Sequence, residues 1–166
     1  MDGWDNYFVA QAGAAAAFAG LVLVSVSINL DKIIKGPGLV GRSAEPLIVL
    51  FTLFVTASFM LIPEQVLWVY GIEVLATAIV FSATIGHVLW RQHKILFAPD
   101  NPFPPPPHSF QLRLALCLAT AILLMVAGVL LTLDHERGAF ALVPAMVVGF
   151  LLAFMDAWVL LIEVDR

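Results

Sequence analysis

Five apolar stretches, each bounded by charge or proline, leave this chain few ways to fold: residues 7–30, 46–62, 66–90, 111–133 and 139–162. A helix rises about 1.5 Å per residue, so about 20 apolar residues cross a hydrocarbon core of about 30 Å. Inside lipid a backbone must satisfy its own hydrogen bonds, which an α-helix does. The first stretch is about 36 Å of helix and the second is short but adequate. Of 166 residues, 61% are hydrophobic and 12% are charged, with a mean hydropathy of +0.99; a soluble domain of this size cannot bury so much apolar surface. The expectation is an all-α fold: an integral membrane bundle of five transmembrane helices forming a single domain, 1–166.

The connections are legible in the same way. Residues 31–45 hold Gly36-Pro37-Gly38 and read as a loop, with Pro46 in the first turn of the second span. Pro63-Glu64-Gln65 is a tight turn into the third span. The loop 91–110 carries prolines at 99, 102 and 104–107, which predicts an extended polyproline II segment, a spacer or a docking strip. Asp134 to Gly138 make a compact charged turn. The acidic start and the length of the first stretch argue against a cleaved signal peptide.

Basic residues set the orientation. Lys32, Lys35, Arg42, Arg91, Lys94, Arg113 and Arg166 fall on one side and only Arg137 on the other, which predicts an outside N-terminus, a cytoplasmic C-terminus and a cytoplasmic proline-rich loop. The net charge of -4 sits at span ends and points to no nucleic acid partner. Cys117 is the one cysteine, so neither an internal disulfide nor a CxxC metal site is available; it reads as a small apolar filler. Neither a metal nor a cofactor is expected.

The third span carries the chemistry. Tyr70, Glu73, Thr77, Val80, Thr84, His87 and Arg91 recur at spacings of three and four, which places them along one helix face. A carboxylate within a span costs about 2.5–3.5 kcal/mol on insertion scales unless it finds a partner, water or a proton, so this line is expected to face protein or water. Glu73 has two readings: a proton or cation site, or a structural carboxyl bonded to Gln11 at matching depth. Asp156 on the fifth span shares a face with Ala145, Gly149 and Ala153, and His87 lies near its level. A His87–Asp156 pair is therefore expected, either as the inner station of a relay from Glu73 or as a structural contact. Thr77 and Thr84 join the two levels, although threonines in helices also bond to their own backbone. Gly13, Ala17 and Gly20 on the first span, and Gly149 and Ala153 on the fifth, form small-residue faces suited to close helix contact.

Residues 8–17, 25–30 and 156–164, together with Pro63-Glu64-Gln65, resemble a family of small, uncharacterised bacterial multispanning inner-membrane proteins. The resemblance implies a bacterial cytoplasmic (inner) membrane and this helical architecture, and it implies no activity or cofactor. No HExxH or GxSxG motif is present, so an enzyme is not expected. Two function classes follow. One is an ion or proton pathway in a homo-oligomer, lined by Glu73, Thr77, Thr84 and His87 with Asp156 assisting. The other is a non-catalytic accessory, assembly or regulatory subunit that binds other membrane proteins. In both, the lipid bilayer is the surrounding partner.

Overall fold

The computed structural model describes residues 3–36, 38–98 and 107–162, without the side chains of 107 and 159–162. They form α1 (Asp5–Ile28), α2 (Leu30–Lys35), α3 (Leu39–Phe59), α4 (Leu67–Leu96), α5 (Pro107–Thr132) and α6 (Arg137–Ile162). All but α2 are long and apolar enough to cross a membrane. The chain is thus an all-helical, multi-pass membrane bundle.

Four of the helices form a ring. Each of α3, α4, α5 and α6 packs against the next, and α6 returns to α3, in the up-and-down order that short connections impose. The ring interior is filled by apolar side chains with no exposure, among them Leu50, Leu53, Leu124, Met146 and Leu152, with Phe81 at 1%. Helix α1 lies outside the ring, on α3 with a lesser contact to α6. Its buried residues Phe8, Ala15 and Val22 recur every seven positions, with Ser25 three further on, the narrow seam of a helix that touches neighbours on one side only. Aromatic contacts anchor its start: the Trp4 ring meets Phe140 edge-on, with 4.8 Å between centroids.

Three sequence boundaries need correction. The loop expected at 31–45 is mostly helix, since α2 ends at Lys35 and α3 begins at Leu39; only the glycine-flanked turn interrupts it, with Gly38 left-handed at φ 77°. Pro46 consequently sits inside α3, where it has no N–H to offer the Arg42 carbonyl. The third span does not stop at residue 90 but continues to Leu96, and the fourth begins at Pro107. The polar residues added at these ends are favourable because they lie near the water interface. The polyproline prediction at 99–106 falls outside the described residues.

The opposite end is closed by tight turns. At the end of α5, the His135 N–H donates to the Leu130 carbonyl at 2.9 Å and the Asp134 N–H to that of Leu131 at 3.0 Å. Asp134 is left-handed at φ 63°, which makes this a Schellman cap with aspartate where glycine is usual.

Candidate functional site

One polar residue from each ring helix converges inside the bundle: Glu45 from α3, Gln92 from α4, Arg113 from α5 and Asp156 from α6. Their exposures are 0%, 1%, 5% and 1%. Each lies about 6–9 Å of helix in from the same end of the bundle. The Arg113 guanidinium is the centre. Its Nη2 donates to Glu45 Oε2 and, at 3.2 Å, to Gln92 Oε1. Its Nε faces Asp156 Oδ1 at 3.1 Å, an ion pair not aligned as a hydrogen bond. Gln92 Nε2 donates to the remaining oxygen of Glu45, Oε1. Both Glu45 oxygens are therefore satisfied, whereas Asp156 Oδ2 is buried with no hydrogen-bond partner among the described residues. Gly41 makes room for this arrangement, because a Cβ there would stand 2.9 Å from Gln92 Nε2.

The cluster ties four helices at one level. Bringing these charges out of water is costly, and removing one partner from such a group costs about 3–5 kcal/mol because it strands the other. Toward the middle of the membrane it is capped by Val49, Leu89, Cys117 and Ala153, all buried. Cys117 is thus the interior filler that its surroundings suggested.

This site was nearly invisible in the sequence. Glu45 reads as loop, Arg113 as a topology-setting flank and Gln92 as lying beyond its span. A signal existed nonetheless: the buried stripes Leu53-Val49 on α3, Ile85-Leu89 on α4, Ala121-Cys117 on α5 and Gly149-Ala153 on α6 each reach a polar residue when extended by one helical step. All four steps run toward the same end.

The residues nominated from the sequence are placed differently. Glu73 is half-buried and accepts from Gln65 Nε2 at 2.9 Å, not from Gln11, because α1 packs on α3 and α6 and not on α4. Glu73 Oε2 and Gln11 Oε1 are buried without hydrogen bonds to any described residue. Thr77 and Thr84 donate to the carbonyls of Glu73 and Val80 at 2.8 Å. His87 is on the outer surface, 6.3 Å from the Trp90 ring, and does not pair with Asp156, which has Arg113 instead. The polar line leaves the core because spacings of three and four average 3.5 residues, so over three heptads the line drifts by about 60° around the helix. Tyr70 at its start is buried, and Thr84, His87 and Arg91 at its end are exposed.

The small-residue faces divide as well. Gly149 packs against Leu53, whose side chain would stand 3.0 Å from a Cβ at that position, while Gly13 and Gly20 meet nothing within 4 Å; Ala153 is buried and Ala17 is exposed. The tightest helix approach is one not anticipated: a Cβ at Gly71 would lie 2.3 Å from the Thr132 backbone nitrogen. No metal-holding group of His, Cys, Asp or Glu occurs among the described residues. Comparison with known proteins adds nothing to this geometry: no family model, curated protein or solved structure matches the chain.

Proposed function

We propose that this multi-pass membrane protein is a non-catalytic accessory subunit of a bacterial inner membrane, oriented with its N-terminus outside, that binds a transmembrane helix of another protein through the outer face of α4. The observation that carries this reading is the position of the polar line. Thr84 and His87 face outward on a spanning helix, and the hydroxyl of Thr84 is already bonded to its own backbone. His87 has a ring contact but no hydrogen bond to any described residue. An imidazole on a lipid-facing surface lacks the partners that intramembrane polar groups ordinarily find. A partner helix with a hydrogen-bonding side chain at that level supplies one. Beside this face, the groove between α3 and α4, about 470 Å³ and lined by Phe51, Val55, Thr77 and Thr84 among others, fits apolar side chains of the same helix.

The test is crosslinking in native membranes from a cysteine at Thr84, with the adduct mapped by peptide mass. An adduct on a transmembrane segment of a different protein, reduced by His87→Ala, is the expected result. Adducts with lipid alone, or only between copies of this chain, overturn it.

Copy-to-copy adducts would favour the second reading, a homo-oligomeric ion or proton pathway. Its support is that the same outward row, Thr77, Thr84 and His87 below Glu73, would line an axis if copies assembled around α4. Within one copy, the fully buried apolar layer around Leu53, Phe81, Leu124 and Met146 separates Glu73 from the Arg113 cluster. Reconstituted vesicles should then show a flux removed by Glu73→Gln and weakened by Thr77→Val; absence of flux for protons, monovalent cations and small anions would end this reading.

A further inference from the structure

We infer that the groove between α1 and α3 is a binding site for an anionic phospholipid, with one acyl chain lying in the groove and the phosphate at Lys32 and Lys35 of α2. The inference concerns a different face from that of the α4 partner and holds without one. It begins with the shape of the groove, about 500 Å³. Helix α1 offers it Ala15, Ala16 and Ala19, whose methyl groups leave a channel where longer side chains would fill the space. Buried Leu50 closes its floor, and Leu23 and Phe51, 53% and 66% exposed, stand at its sides. Every residue that lines it is aliphatic or phenylalanine.

That lining selects the occupant. Lipid chains are as apolar as leucine, so a helix gains little by leaving lipid for an apolar surface unless the backbones approach closely or a hydrogen bond forms. No lining side chain here offers a hydrogen bond, and Leu23 and Phe51 hold a helix backbone off the alanines. A polymethylene chain needs neither contact and is narrow enough to enter. The groove between α3 and α4 differs on this point: beyond the shared ridge of Ile48 and Phe51 it carries Thr52, Thr77 and Thr84.

The connectivity of the chain places charge at one mouth of the groove. Helix α2 joins the end of α1 to the start of α3, touches both and is fixed by buried Ile33, so it lies at the end of the groove that those two helices enclose. Its Asp31, Lys32 and Lys35 are all exposed, two cations against one anion. Leu23 is five residues before the end of α1 and Leu47 eight after the start of α3, which puts the groove about 8–12 Å from a phosphate held at α2. A glycerol backbone and the first methylenes of a chain span that distance. Basic pockets at the ends of spanning helices bind anionic headgroups in this way, and the exposed Arg91 and Lys94 of α4 add to the field at this end.

Photolabelling of the full chain in phosphatidylcholine vesicles tests the site. The probes are trace phosphatidylglycerol and trace phosphatidylcholine, each with a diazirine on one acyl chain, and adducts are mapped by peptide mass. The expected adducts fall on α1 and α3 at the groove, about fivefold more from phosphatidylglycerol, because one surface cation is worth about that factor and the lysines exceed Asp31 by one. Lys32→Gln together with Lys35→Gln should abolish the preference, and Ala16→Leu should remove the groove adducts of both lipids. Ala16 is exposed, so this substitution does not disturb the core. Equal labelling by the two lipids would reduce the groove to ordinary boundary lipid, and a preference that survives in the lysine variants would put the headgroup elsewhere; either overturns the proposal. A groove left unlabelled in vesicles overturns it in favour of a second copy on this face. Labelling that occurs in vesicles and is lost in native membranes overturns it in favour of another protein's helix.

Discussion

Replacing Arg113 by leucine leaves Glu45 and Asp156 facing each other in the interior with no cation between them. That loss should cost about 3–5 kcal/mol, read as a lower unfolding midpoint in detergent. Converting Glu45, Arg113 and Asp156 together to leucine should recover most of it, since replacing a whole buried ionic group by apolar residues is often near neutral. If the single and triple variants unfold alike, the cluster is not a coupled unit. Gly41→Ala acts on the same site from outside: its methyl group meets the Gln92 amide, which is held by Glu45 and Arg113 and has no slack to give. The expected loss is about 1–3 kcal/mol, the cost of an unmade buried hydrogen bond. Gln92→Ala in the same chain should make the added methyl harmless.

Glycines that look alike along the helices have different surroundings, and substitutions separate them. Gly71→Ala drives a methyl into the Thr132 backbone on α5, so α4 and α5 must part and the bundle should lose stability in any detergent. Gly13→Leu and Gly20→Leu meet open space and should leave the unfolding midpoint of the single chain unchanged. A fall in assembly mass with unchanged stability would locate a partner on α1. At the end of α5, Asp134→Gly relieves a left-handed aspartate and should raise stability by about 0.5–1 kcal/mol, provided the Schellman bonds to Leu130 and Leu131 persist.

For the whole molecule, the basic residues of α2 and of the α4 end gather on the side of the bundle that carries the buried cluster. Counting Arg113 as interior leaves that bias in place, with Arg137 alone at the other end. A reporter fused after Arg166 should therefore behave as cytoplasmic. A cysteine at the exposed Glu136 should label from outside, while buried Cys117 stays silent. The reverse result at both positions would invert the protein in its membrane and place the Arg113 cluster at the outer surface.

Hydropathy alone determined the number of spanning helices, because spanning lipid needs only a sufficient run of apolar residues and each helix closes its own hydrogen bonds. It was also enough to place the tight turns at Pro63 and Asp134, and to mark Asp156 as standing on a small-residue face. Which polar residues meet was decided by packing. Glu45, Gln92, Arg113 and Asp156 come from four helices spread over more than a hundred positions of the chain, and only closure of α6 against α3 brings them to one guanidinium. The same closure turned the α4 line outward, since a helix with apolar neighbours on two sides buries Val74, Ala78, Phe81, Ile85 and Leu89. A drifting polar stripe is then left to the surface. Within one helix, sequence periodicity shows that a face exists. Which way that face points depends on how much apolar area each alternative packing buries against its neighbours, a property of the bundle as a whole.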